Sequence, residues 1–155
     1  MALLEIACFS AEHALLAFNS GADRIELCKD RDAGGTTPAI EDVQHVKRSV
    51  NIPVYVMIRP RGGDFNYDED EYDQMKRDID RLKSCADGFV LGILNNNFTV
   101  DIARTSHLVQ RAAPLPCNFH RAFDETRDLR MAFSQLCLAC SRYFLTVVVG
   151  AVSWR

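Results

Sequence analysis

Pro53-Val54-Tyr55-Val56-Met57-Ile58-Arg59-Pro60-Arg61-Gly62-Gly63-Asp64 is a β-branched run that ends on two arginines and a pair of glycines. Alternation along an extended chain puts Val54, Val56 and Ile58 on one side and Tyr55, Met57 and Arg59 on the other. Pro60 removes a backbone donor and holds Arg59 extended, so a strand over residues 53–58 stops there. Gly62-Gly63 then allows the backbone to come close to whatever the guanidinium groups hold. The stretch predicts an anion-binding mouth at the carboxyl end of a strand, with Arg59, Arg61 and Asp64 around it.

The same one-sided polarity recurs in the other short apolar runs. In residues 3–9, Leu4 and Ile6 oppose Glu5 and Ala7; in residues 24–27, Ile25 and Leu27 oppose Glu26 and Cys28. Residues 117–120 set Cys117 and Phe119 against Asn118 and His120, and residues 89–93 supply a further strand. Helical patterns separate these strands. Ser10 caps a helix with Leu15 and Phe18 on one face, ended by Gly21, and Thr37-Pro38 opens a second with Ile40, Val43 and Val46. The acidic cluster of residues 68–73 resembles a metal site, yet it begins a third helix with the stripe Tyr72, Met75, Ile79 and Leu82. Carboxylates there stabilise the helix start. Asp101 caps a fourth helix carrying Ile102, Leu108 and Val109, and a fifth runs through Leu129, Ala132, Phe133 and Leu136.

Strand and helix units joined by short loops give an α/β fold with a parallel sheet. An open sheet covered by helices on both faces would bury these acids and bases against hydrocarbon, at a cost of several kcal/mol each unless paired. A barrel removes the conflict, because its apolar face meets the helices and its polar face enters a lumen. The expected architecture is a TIM-type (β/α) barrel, one domain over residues 1–155. A complete barrel takes about 250 residues, so only about five to six of its eight βα units are expected here.

At 48% hydrophobic residues the chain has apolar material for one ordinary core. A net charge of -3 with interspersed signs argues against nonspecific nucleic-acid binding, which needs a cationic surface. Glu5 interrupts the first apolar run and no basic leader precedes it, so neither a signal peptide nor a membrane span is expected, and the default address is the cytosol. Six scattered cysteines are expected to be reduced thiols there, serving as core filler or as soft-metal ligands.

The segments Leu4-Glu5-Ile6, residues 21–28 (GADRIELC), residues 34–38 (GGTTP), residues 58–65 (IRPRGGDF) and residues 119–124 (FHRAFD) resemble, in this order, the copper homeostasis protein CutC family. The resemblance covers residues 1 to about 126 and implies a TIM-type barrel, a cytosolic setting and a role in copper handling with Cu(I). At the sixth strand the family resembles Leu-Thr-Ser-Gly-Gly, whereas this chain reads Leu145-Thr146-Val147-Val148-Val149-Gly150. That departure implies a truncated or altered end, with bare strand edges that favour homo-oligomers.

Cu(I) selects thiolate ligands. Cys8 and Cys28 match family positions where cysteine occurs and sit near the carboxyl ends of adjacent strands. Cys28 shares the side of Glu26, while Cys8 falls opposite Glu5 unless the strand ends or bulges before it. The alternative is two small buried hydrophobes. Cys137 and Cys140 continue the stripe of the fifth helix and are expected in the core; Cys85 and Cys117 carry no signal, and His13, His45 and His107 are expected on helix surfaces.

A second constellation is cationic. Arg59, Arg61 and Asp64 end the third strand and His120, Arg121 and Asp124 follow the fifth, at the edge where barrel enzymes keep their sites. Arginines grip a carboxylate or phosphate bidentately, and His120 with Asp124 is the candidate acid-base pair. Three readings remain open: a copper homeostasis protein holding Cu(I), a barrel enzyme acting on a small phosphorylated or carboxylated metabolite, and an inactive truncated product. For the charged set itself the alternative is an internal network in which Glu5 and Glu26 answer the arginines.

Overall fold

A computed structural model describes residues 3–139 and 145–147. Six parallel strands stand side by side in chain order: β1 Glu5–Cys8, β2 Arg24–Leu27, β3 Val54–Met57, β4 Gly88–Leu91, β5 Cys117–Phe119 and β6 Leu145–Val147. Each crossover carries one helix: α1 Ala11–Asn19, α2 Ile40–Ser49, α3 Glu69–Leu82, α4 Ile102–Ala112 and α5 Leu129–Ala139. The architecture is α/β of the TIM-barrel type, with β1 and β6 at the two edges of an unclosed sheet. Register runs Ala7↔Glu26↔Tyr55↔Gly88 along one row and Met57↔Val90↔Asn118 along another, so the lumen-facing residues line up across strands.

The helix starts follow local chemistry. Ser10 Oγ accepts from His13 N at 3.1 Å, and Asp68 and Glu71 form a reciprocal capping box at the start of α3. The acidic residues there are ion-pair partners: Glu71 binds Arg61, Glu69 binds Arg104 and Asp73 binds Lys76. α2 begins at Ile40 rather than at Thr37-Pro38, because the Thr37 hydroxyl accepts from Arg59 N at 2.9 Å and holds that residue to the end of β3.

Ile25, Leu27, Val54, Val56, Ile58, Phe89 and Leu91 meet Val43, Val46, Met75, Ile79, Leu82, Leu108 and Val109 in one buried cluster between strands and helices. Each such side chain contributes roughly 1.5–3 kcal/mol when fully buried. Tyr55, Met57, Val90 and Cys28, with Phe9, form a separate cluster on the opposite, lumen face. α5 departs from expectation. Ala132 and Leu136 are buried, whereas Leu129 and Phe133 are 49% and 52% exposed and Cys137 is exposed rather than in the core. Ala132 and Leu136, four apart, point one way; Phe133 and Cys137, also four apart, lie about 100° around the helix on an exposed flank. Cys140 lies outside the described residues.

Candidate functional site

The polar ends of β1, β2, β3 and β5 converge on a lumen cavity of about 380 Å³. Glu5, Glu26, Arg59, His120 and Arg121 are its polar lining, and Ala7, Phe9, Met57 and Phe65 its apolar lining. Arg61, Asp64 and Asp124 do not line it. Arg61 leaves the strand after Pro60 and binds the Glu71 carboxylate at 2.5 Å, Asp64 at 3.0 Å and the Asn66 carbonyl at 2.7 Å. Asp124 is an exposed residue of the 3-10 turn Arg121–Glu125.

Arg59 is 3% exposed and binds two loops together. Nη1 donates to the carbonyls of Ala33, Gly34 and Gly35 at 3.0, 3.2 and 3.0 Å, and Nη2 donates to Gly63 O at 2.7 Å. Its Nε is buried without a hydrogen-bond partner of normal geometry among the described residues, the Tyr67 hydroxyl lies nearby, and its guanidinium lies 4.6 Å from the centre of the Phe65 ring. The close approach predicted for Gly62 is to the protein itself, since a Cβ there would lie 2.8 Å from Ala33 O.

His120 is 4% exposed and ends β5. Its Nδ1 accepts from Ala122 N at 3.2 Å, which puts the ring proton on Nε2, and Nε2 has no partner among the described residues. The ring sits 4.9 Å from Phe65 and rests against Gly92, where a Cβ would come within 2.7 Å of it. Burial, and then the charge of Arg59, push the imidazole pKa down to about 3, so the ring is neutral at physiological pH.

The carboxylates differ in their surroundings. Glu5 is ion-paired with Arg24, whose guanidinium lies 4.3 Å from the Tyr55 ring centre. Arg24 escaped attention in the sequence, although it shares the lumen parity of Glu26. Glu26 has no basic residue at ion-pair distance among the described residues; burial and the nearby charge of Glu5 raise its pKa to about 7. The Cys28 thiol donates to Glu26 Oε1 at 3.7 Å, and its pKa is driven up by burial and by Glu26. Cys8 packs on the helix side of the sheet with its thiol toward Ile6 O at 3.5 Å. The backbones of the two cysteines nonetheless meet, Cys28 N donating to Cys8 O at 2.8 Å. Among the described residues, no three His, Cys, Asp or Glu side chains group closely enough to hold a metal ion.

The sequence matches the model of the CutC family over residues 2–148. It is 46% identical to a family protein CutC of Proteus mirabilis (strain HI4320) over 137 residues, 88% of this chain and 55% of that protein. It is 47% identical to the copper homeostasis protein cutC homolog of Homo sapiens over 135 residues, 86% of this chain and 50% of that protein. The chain spans about half the length of the curated relatives it matches. The putative copper homeostasis protein CutC from Streptococcus agalactiae superposes with a TM-score of 0.88 at 31% identity, covering 99% of this chain and 75% of that one. A 2,3-dimethylmalate lyase superposes at 0.66 with 12% identity, over 99% of this chain and 60% of that one, a likeness of fold alone. With residues 2–148 matched by the family model and close to half of the aligned residues identical in its relatives, the chain belongs to the CutC family.

Proposed function

We propose that this protein serves copper homeostasis, the role named for its human relative, by holding Cu(I) as cargo on the thiolates of Cys28 and Cys8. The observation that supports it is the meeting of two unpaired thiol residues at the ends of adjacent strands, joined by the hydrogen bond from Cys28 N to Cys8 O. Soft thiolates favour Cu(I) over harder ions. Cys28 lies on the lumen face, buried with Tyr55, Met57 and Val90, and fits that role once its thiol gives up its proton, which burial and Glu26 oppose. Cys8 fits it only after its side chain turns from the helix core toward its neighbour, so Cys28 is the first anchor and Cys8 the second.

The setting is the cytosol, where unpaired thiols stay reduced. No helix among the described residues is long and apolar enough to cross a membrane. A second copy of the chain is the other expected partner, through the β1 and β6 edges, which pair with no further strand among the described residues.

Competition against a chromogenic Cu(I) chelator tests the copper site. Cys28→Ser and Cys8→Ser are each expected to weaken Cu(I) binding by about tenfold or more. A double serine variant that withdraws Cu(I) as well as the native chain refutes the assignment.

A further inference from the structure

The lumen holds more hydrogen-bond donors than it uses. Among the described residues, five buried side-chain polar atoms have no hydrogen-bond partner, and three of them, Arg59 Nε, Asn118 Nδ2 and His120 Nε2, belong to side chains on the lumen face. All three are donors, since His120 Nδ1 is the acceptor for Ala122 N. These side chains are 3%, 1% and 4% exposed, so solvent satisfies them poorly. A buried donor left unmade costs about 1–3 kcal/mol, and several together on one face fit a ligand rich in acceptors.

Charge narrows the ligand. Glu5 is answered by Arg24, Arg61 by Glu71 and Arg121 by Glu125, while Arg59 is surrounded by loop carbonyl oxygens and the Tyr67 hydroxyl, with no carboxylate at ion-pair distance among the described residues. One uncompensated cation calls for one negative charge. A dianion such as phosphate would set its second charge against Glu26, which lines the same cavity without a basic partner. Ala7, Phe9, Met57 and Phe65 complete the lining and suit hydrocarbon.

We infer that the lumen cavity binds a small monocarboxylate with an apolar body, its carboxylate received by the free donors of Arg59 and His120 and its hydrocarbon by Phe9, Met57 and Phe65. Asn118 lies two residues before His120 on the same strand face but does not line the cavity, so the donors that receive the carboxylate are those of Arg59 and His120. Phe65 lies against both the Arg59 guanidinium and the His120 ring, and so holds the two donors in one arrangement before any ligand arrives.

Benzoate is the probe, titrated into the copper-free full chain and followed by the nitrogen-proton resonances of Arg59 Nε and His120 Nε2. Both are expected to shift saturably. His120→Asn keeps an acceptor for the Ala122 amide while removing the Nε2 donor, and is expected to weaken binding about tenfold. Ala7→Leu fills the cavity without touching a donor and is expected to weaken it at least as much. Benzyl alcohol and inorganic phosphate are the contrasting arms. No saturable shift up to about 50 mM benzoate, equal binding of benzyl alcohol, tighter binding of phosphate, or unchanged affinity in both variants overturns the inference. Copper has no part in the assay, so its failure leaves the thiol site standing.

Discussion

Arg59 Nη1 donates to the Gly35 carbonyl at 3.0 Å, and this bond joins the two most distinctive motifs of the chain. The glycine pair of residues 34–38 and the arginine of residues 58–65 are two halves of one clasp across the mouth of the barrel. Thr37 completes it from the other side. Its amide donates to Arg59 O at 2.9 Å, while its hydroxyl accepts from Arg59 N at 2.9 Å. The clasp holds the loops after β2 and β3 at fixed height, and so sets the rim of the cavity that Gly34, Arg59 and Arg121 line.

Arg59→Lys therefore tests positioning as well as charge. A lysine ammonium has three donors on a flexible stem and cannot span carbonyls in both loops at once. We expect a stability loss of about 3 kcal/mol, read as a lower urea midpoint at unchanged slope. Gly62→Ala breaks the same clasp without altering charge, because its Cβ would meet the Ala33 carbonyl at 2.8 Å, and a loss of about 1–3 kcal/mol is expected. Midpoints equal to the native one in both variants would leave the clasp without energetic meaning.

Glu26 predicts a fall of stability with rising pH. Its carboxyl titrates at about 7 in the fold against 4.5 when unconstrained, so the native state holds a proton that the unfolded chain has released between these values. The stability this gives is complete below about pH 4.5 and is lost as pH rises through 7, by up to about 3 kcal/mol. Glu26→Gln removes that dependence. At pH 8 the variant is expected to melt above the native protein, and at pH 4.5 the two are expected to coincide.

His120 predicts the opposite slope. The unfolded imidazole gains its proton near 6.5 and the buried one only near 3, so stability is complete above about pH 6.5 and is lost as pH falls toward 3, by roughly 4 kcal/mol. Between pH 4.5 and 6.5 the Glu26 and His120 effects offset each other, and the native protein is expected to show a nearly flat profile there. Urea titrations of His120→Asn across that window are expected to expose the Glu26 slope alone. A variant profile as flat as the native one would contradict the burial assigned to either group.

Strand parity made the lumen legible. Tyr55, Met57 and Arg59 alternate with Val54, Val56 and Ile58, and the same rule carried Glu5, Glu26 and His120 to one cavity. It also put Cys8 on the helix side, where alternation holds to the last residue of β1. Parity says nothing about where a long side chain goes after it leaves the strand. Arg59 reaches sideways to loop carbonyls, and Arg61, beyond Pro60, is drawn by Glu71 to the start of α3. On α5 an apolar pattern wider than the contact it makes hid which residues are buried, since only Ala132 and Leu136 of the expected set are.

Gly92 follows β4 and carries no chemistry of its own, yet it decides where His120 sits. A Cβ at this position would lie 2.7 Å from both Cε1 and Nδ1 of the ring and 3.2 Å from Phe119 Cζ. The ring cannot retreat, because Phe65 packs on it at 4.9 Å and Ala122 N holds Nδ1. Gly92→Ala is thus expected to push the imidazole off its cap, at a stability cost of about 1–3 kcal/mol. Two-bond nitrogen-proton correlations of the ring are the decisive measurement. The native protein is expected to show the neutral tautomer with its proton on Nε2, and the variant a ring that exchanges between tautomers. A variant with the native pattern and native melting midpoint would mean that β4 does not position His120, and the cavity would then owe its histidine geometry to β5 alone.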